Sequence, residues 1–226
     1  MKLAVLPRYL DLKKENYDFN LKHYVNHDYI LMAQQMGVGL CAIMSPNECE
    51  DYASFCDGLI IPGSNNRVNP VYYGGEPMNP PPDYDVFALD IKVIDAFAKA
   101  GKPIFGICAG HQAINIYFGG TIGCITEDGT KPHSNTSHFI KIKQDSFVYD
   151  AFKSERAEIN SYHVRHIKKI GKDLDVVAKS DDGIIEAVEN KERRIFGVQW
   201  HPERCFKKEE SPEKKLFENF IKTLRK

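Results

Sequence analysis

A chain of 226 residues with 42% hydrophobic and 27% charged residues has enough apolar material for a packed core, which excludes a disordered chain and fits one domain. Its formal net charge is −1, with Lys and Arg scattered among Asp and Glu, so it carries no electrostatic footprint for nucleic acid or an anionic membrane, and a small molecule is the expected partner. No apolar run reaches membrane-spanning length and the apolar start before Pro7 is too short for a secretory leader, so a soluble, cytoplasmic protein is expected.

Lys2 to Leu6 reads as a buried strand stopped by Pro7. From Arg8 to Asp28 the residues Tyr9, Tyr17, Phe19 and Tyr24 follow no clean period. This segment reads as a loop beyond the carboxyl end of the first strand, where open α/β sheets bind ligands. Tyr29 to Met36 reads as a helix stopped at Gly37, and Gly39 to Met44 as a second strand. Asn47 is placed to cap a short helix over Glu48 to Phe55, and Gly58 to Ile61 is a third strand. The alternation predicts a three-layer α/β fold of flavodoxin-like type, with a mostly parallel central sheet covered by helices on both faces.

The third strand runs into Pro62-Gly63-Ser64-Asn65-Asn66-Arg67 and a Pro/Gly/Tyr stretch that continues to Pro82. Loops of that length are usually functional, and a glycine there lets the backbone approach a ligand and aim an N–H at an oxygen that becomes negative during acyl transfer. Asp85 to Ala100 is an amphipathic helix ended by Gly101 and Pro103.

Next comes Ile104-Phe105-Gly106-Ile107-Cys108-Ala109-Gly110-His111-Gln112, an apolar strand entering Gly-x-Cys-x-Gly with a helical pattern directly behind it. This is the pattern of a nucleophile elbow with a thiol. A side chain on so sharp a strand-to-helix turn needs small neighbours two residues away on either side, and the helix N-terminus favours the thiolate that attacks carbonyls. Gln112, one helical turn on, faces the same mouth, where it either grips a polar group of a substrate or satisfies nearby backbone.

The elbow helix closes at Gly119-Gly120, Thr126 to Asn135 reads as polar loop, and His138 to Lys143 and Ala157 to Ser161 read as strands. Leu174 to Ala178 and Ile184 to Val188 flank Asp181-Asp182-Gly183 as a hairpin, so the second half adds a few antiparallel strands. Ile195 to Trp200 is the last strand, and it delivers His201-Pro202-Glu203. In extended backbone residues i and i+2 share a face, and Pro202 keeps His201 extended, so a carboxylate meets an imidazole as base plus orienter. Lys207 to Lys215 is a solvated charge run, and Ser211-Pro212-Glu213 opens a final helix with Leu216, Phe217, Phe220, Ile221 and Leu224 on its core face. The six cysteines, at 41, 49, 56, 108, 124 and 205, form no C-x-x-C that would complete a zinc site with a histidine pair. Small buried thiols in a reducing compartment are expected, and no metal site.

Gly106 to Gln112 together with Val198-Gln199-Trp200-His201-Pro202-Glu203 resembles the class I glutamine amidotransferases. Pro70 to Pro77, Asn160-Ser161-Tyr162-His163 and Asp182-Gly183-Ile184-Ile185-Glu186-Ala187 are similar to the branch of stand-alone γ-glutamyl hydrolases, which includes the γ-glutamyl-γ-aminobutyrate hydrolases. The resemblance implies one class I glutamine amidotransferase-like domain over residues 1–226, with Cys108 as nucleophile, His201 as base and acid, and Glu203 as orienter. It implies oxyanion donors in the backbone N–H groups of Ala109 and of Gly63 or Ser64, and a γ-glutamyl pocket lined by Gln112, Ser161, Tyr162 and His163. No cofactor or metal belongs to that scheme, and the expected partner is a small γ-glutamyl amide, with a homodimer left open. Ala109 stands where an arginine is usual and Ser64 where a second glycine is common, so the particular amine does not carry over. A glutaminase subunit feeding a separate synthetase and a non-catalytic binding or regulatory protein are the alternative readings.

Overall fold

The computed structural model describes residues 1–11, 21–66, 68–79, 85–125, 133–206 and 210–225. Its first half runs β1 (Lys2–Val5), β2 (Arg8–Asp11), β3 (Leu21–Tyr24), α1 (His27–Gln35), β4 (Gly39–Ala42), α2 (Cys49–Phe55), β5 (Gly58–Ile61), α3 (Val86–Lys99), β6 (Ile104–Ile107) and α4 (Ala109–Tyr117). Its second half runs β7 (Thr121–Cys124), β8 (Ser134–Ile142), α5 (Phe147–Phe152), β9 (Arg156–Tyr162), β10 (Arg165–Lys169), β11 (Asp175–Ser180), β12 (Ile185–Asn190), β13 (Ile195–Val198) and α6 (Pro212–Thr223).

Five strands, in the order β4-β1-β5-β6-β13, pair in parallel and form the expected parallel core. All four residues of β5, of β6 and of β13 are buried, which is why these strands read as unbroken apolar runs: helices cover both of their faces. On one face Met32 of α1, Val148 of α5 and Phe217 of α6 join one apolar cluster; on the other Ala53 of α2, Ile94 of α3 and Ala113 of α4 join a second. From β13 the sheet continues antiparallel through β12, β11, β8 and β9, with β10 pairing both β12 and β7, to make eleven strands among the described residues. The predicted hairpin is β11–β12. No described helix is long and apolar enough to cross a membrane.

Several local expectations change. The segment expected to be a loop from Arg8 to Asp28 contains an antiparallel ribbon, with Arg8 opposite Tyr24 and Asp11 opposite Leu21, and its end already belongs to α1. Two four-residue strands in a sheet of their own leave no period to read; Tyr17 and Phe19 lie outside the described residues. Asn47 does not cap α2. It sits in a 3-10 turn, Pro46–Glu48, and its side-chain oxygen accepts from Lys92 Nζ at 2.8 Å, while Glu48 takes the cap position without a side-chain bond. The last strand stops at Val198 and β8 starts at Ser134, inside the stretch read as polar loop; residues 126–132 of that stretch, Arg67, residues 80–82 of the long loop and residues 207–209 of the charge run lie outside the described residues. Within the long loop, Pro70–Tyr73 forms a 3-10 turn started by the Asn69 side chain. The short strands β7 and β10 and the six-residue α5 carry no sequence signal because none is long enough to show periodicity.

The sheet and α4 meet at two glycines. A methyl group on Gly110 would land on the Ile61 carbonyl oxygen, and one on Gly106 would lie 2.5 Å from the Gly110 carbonyl oxygen and 2.6 Å from Ile114 Cδ1. Backbone blocks both positions, so no rotamer change relieves them. Gly37 differs: it has φ +64 but open space around its missing Cβ. Gly110→Ala is therefore expected to cost at least ~2 kcal/mol of unfolding free energy and Gly37→Ala about 1 kcal/mol, read by urea denaturation. Equal costs would contradict the packing account.

Candidate active site

Cys108 is the turning residue between β6 and α4, with φ 52 and ψ −102. For a residue with a Cβ this conformation is strained and persists only when its surroundings over-determine it. Here its N–H donates to the Val198 carbonyl at 2.8 Å, and its own carbonyl accepts the first helical bond from Gln112 N at 3.1 Å. The thiol is 7% exposed, and Gln199 Nε2 lies 3.6 Å from its sulfur.

Parallel pairing of Val198 with Ile107 brings the end of β13 alongside the elbow. His201 and Glu203 do meet, with Nδ1 2.6 Å from Oε1, but not as neighbours on one face of a strand. Pro202–Arg204 is a 3-10 turn, which curls the carboxylate back under the ring. His201 itself stays out of the helical region (φ −110, ψ 81), as a residue before proline does. Asn160 clamps its peptide from both ends, accepting from His201 N at 2.9 Å and donating to its carbonyl at 2.8 Å. Burial pulls the imidazole pKa down, yet hydrogen bonds to Cys108 and Glu203 outweigh it and lift the value to about 10. Both partners therefore favour the charged form of the ring.

Gly63 backs onto the same two side chains: a Cβ there would stand 2.7 Å from His201 Cε1 and 3.3 Å from Cys108 Cβ. Its backbone is oriented by Arg8, which no sequence motif marked. Arg8 Nε donates to the Gly63 carbonyl at 3.2 Å, Nη2 donates to the Pro62 carbonyl, and the buried Asp90 carboxylate holds the guanidinium through contacts of 2.5 and 3.1 Å. In a trans peptide the N–H points opposite to the C=O, so two carbonyls turned to Arg8 turn the Gly63 and Ser64 N–H groups away from it. Ser64 offers only its backbone, because its hydroxyl is engaged with Asn66 at 2.7 Å. Tyr29, also unforeseen, is buried nearby; burial and then the Glu203 charge push its phenol well above its ordinary range.

Ser64, Cys108, Ala109, Gln112, Tyr162 and His163 share one cleft of about 230 Å³, the scale of a small metabolite. Of the two roles open to Gln112, its amide nitrogen takes the structural one, donating to the Arg165 carbonyl at 2.9 Å and to Gln199 Oε1 at 3.0 Å. His163 is buried, with Nδ1 3.0 Å from the Arg165 carbonyl. Tyr162 is exposed, its ring 5.9 Å from that of His201 and 4.2 Å from the Arg204 guanidinium. Ser161 is not part of the cleft lining. Alternation along β9 sends it to the opposite face from Tyr162, where it is fully buried and donates to the His133 carbonyl at 2.6 Å. Arg165 lines the same cleft as Ala109.

A family model described as Peptidase C26 matches residues 3–203. The glutamine amidotransferase-like protein YvdE of Lactococcus lactis subsp. lactis (strain IL1403) is 31% identical over 94% of this chain and 94% of its own length. The γ-glutamyl-γ-aminobutyrate hydrolase PuuD of Escherichia coli (strain K12) is 31% identical over 80% of this chain and 76% of its own. Among solved structures, one described as a GMP synthase component from Thermoplasma acidophilum superposes with a TM-score of 0.69 at 19% identity, covering 100% of this chain and 94% of that one, a likeness of fold.

Two measurements test the electrostatics. Arg8→Ala strands the Asp90 carboxyl in the core and is expected to cost about 3–5 kcal/mol, most of which the double replacement Arg8→Met with Asp90→Leu restores; a double variant as unstable as Arg8→Ala would contradict the pairing. The raised pKa of His201 contributes stability that is fully present below its ordinary value of 6.5 and is lost as pH rises through about 10. The stability gap between the parent and His201→Gln should therefore shrink on going from about pH 6 to about pH 10. A gap that stays constant or widens would refute the shift.

Proposed function

The chain belongs to the Peptidase C26 family, and from that premise we propose that it is a cysteine-dependent hydrolase of γ-glutamyl amides. The observation that carries this reading is that a strained cysteine and an imidazole with raised pKa both lie against Gly63, in a backbone turn held by Arg8. In the proposed sequence, Cys108 Sγ attacks the side-chain carbonyl carbon of the γ-glutamyl group. The oxygen takes the negative charge, facing the N–H groups of Ala109 and of Gly63 or Ser64. His201 gives its proton to the departing nitrogen, the C–N bond breaks, and a γ-glutamyl thioester remains on Cys108. Neutral His201 then takes a proton from water, hydroxide adds to the thioester, and glutamate leaves as the thiolate re-forms. Glu203 holds the imidazole by Nδ1 throughout, leaving Nε2 to move the proton.

A second reading, a glutaminase subunit that supplies ammonia to a synthetase, draws on the names of YvdE and of the GMP synthase component. The hydrolase is favoured because Cys108, His201, Glu203 and the Gly63 turn braced by Arg8 all come from this one chain. The similarity to PuuD points the same way.

The purified chain is expected to release amine from several γ-glutamyl amides unaided, with free glutamine a poorer substrate. Glutamine as the best substrate, or turnover only after a second protein is added, would replace the hydrolase by the ammonia supplier. Cys108→Ala should abolish turnover. His201→Ala should cost roughly 10 to 100 times more rate than Glu203→Gln, because losing the orienter loosens the imidazole while losing the base removes the proton carrier. A near-normal rate in His201→Ala would hand the base role to His163.

A further inference from the structure

Beside the cleft, three side chains from two separate parts of the chain converge on one point. Glu186, on β12, is fully buried; His133, just before β8, is 3% exposed; His138, on β8, is partly buried. Glu186 Oε1 lies 3.1 Å from His138 Nε2 and 3.5 Å from His133 Nδ1, and all three donor atoms lie within 4.8 Å of one another. Among the described residues none of these atoms makes a hydrogen bond of good geometry, and Glu186 Oε2 makes none either. A buried carboxylate and two buried ring nitrogens without partners are costly to keep.

His133 Nε2 is 3.0 Å from Asp182 Oδ2, a carboxylate that only accepts; with its proton there, the neutral ring turns its Nδ1 lone pair toward Glu186. His163 repeats the arrangement from the cleft side: its Nδ1 meets the Arg165 carbonyl, which leaves the Nε2 lone pair 3.6 Å from the same Oε1. Lone pairs aimed at a carboxylate repel it unless a positive charge lies between them. Metal–ligand distances of about 2.0–2.1 Å set tetrahedral ligand atoms about 3.3–3.4 Å apart, between the two separations observed from Glu186. A carboxylate on the far nitrogen of a ligating imidazole, as Asp182 is on His133, is the usual outer partner of such a ligand.

We propose that His133 Nδ1, His138 Nε2 and Glu186 Oε1 bind one divalent transition-metal ion of the zinc class, with a water molecule completing the tetrahedron on the side of His163. The ion is structural. It ties the chain entering β8 to β12 across the intervening β11, and the His133 carbonyl, which accepts from His163 N at 3.0 Å and from Ser161 Oγ at 2.6 Å, transmits that tie to the cleft wall. The site runs against the absence of metal expected from sequence spacing and does not depend on the proposed reaction, no step of which passes through the ion.

The test uses the full chain, stripped with a chelator and titrated with zinc. One equivalent is expected to bind and to raise the melting temperature, and X-ray absorption should show only nitrogen and oxygen neighbours at about 2.0 Å, with imidazole scattering. Asp182→Asn is expected to bind about 10- to 100-fold more weakly, His138→Gln to lose the site, and Cys108→Ala to bind as the parent does. Absence of binding to the parent, unaltered binding in His138→Gln, or loss of binding in Cys108→Ala would each overturn the proposal. If His138→Gln does not fold, the absorption spectrum of the parent decides, because a sulfur neighbour at about 2.3 Å would assign the ion to a cysteine instead.

Discussion

The close approach of α4 to β5 and β6, at Gly110 and Gly106, is the constraint on which the site depends. Without side chains at those two positions the helix starts directly over the strand ends, and the residue between them must turn through a positive φ. The strain at Cys108, of order 1–3 kcal/mol, is held by the Val198 carbonyl, the first turn of α4 and three fully buried parallel strands. Rigidity of that kind is what a reactive side chain requires, because its sulfur must meet a base and a pair of donors without searching for them.

The same economy governs charge. One imidazole sits between the sulfur and a buried carboxylate, and its cation is stabilised by both partners more than it is penalised by burial. On the other side of the elbow a second buried cation, Arg8, directs its donors to Asp90 and to two backbone carbonyls, so that it acts on the site through peptide orientation and not through its charge. Each of these groups is costly alone and stable as a set, which explains why the start of β2, the loop after β5 and α3 are bound into one polar joint.

What the sequence made legible was local. Gly106-x-Cys108-x-Gly110 and His201-Pro202-Glu203 are short patterns whose geometry follows from a few dihedrals, and the apolar runs of β5, β6 and β13 announce their own burial. What stayed hidden was non-local or too short to be periodic. Arg8 reaches Pro62, Gly63 and Asp90 across the fold, and nothing in Pro7-Arg8-Tyr9 signals it. Ser161 belonged to a similar motif, but strand alternation decides which of Ser161 and Tyr162 faces the cleft, and the register of β9 is set by its pairing with β8. His133, His138 and Glu186 meet only because β12 and β8 flank β11, an adjacency no spacing rule contains. The 3-10 turn at Pro202 yields the imidazole–carboxylate pair that the extended-strand argument predicted, by a different route.

Everything proposed for the cleft turns on Cys108 carrying the γ-glutamyl group. Mixing the protein with excess γ-glutamyl amide, quenching in acid within one turnover and mapping the digest by mass spectrometry tests it directly. One γ-glutamyl group is predicted on the peptide containing Cys108, labile to hydroxylamine as a thioester is, and accumulating further in Glu203→Gln if hydrolysis of the thioester slows more than its formation. An adduct on Cys41, Cys49, Cys56, Cys124 or Cys205, or rapid product formation by Cys108→Ala, would contradict it.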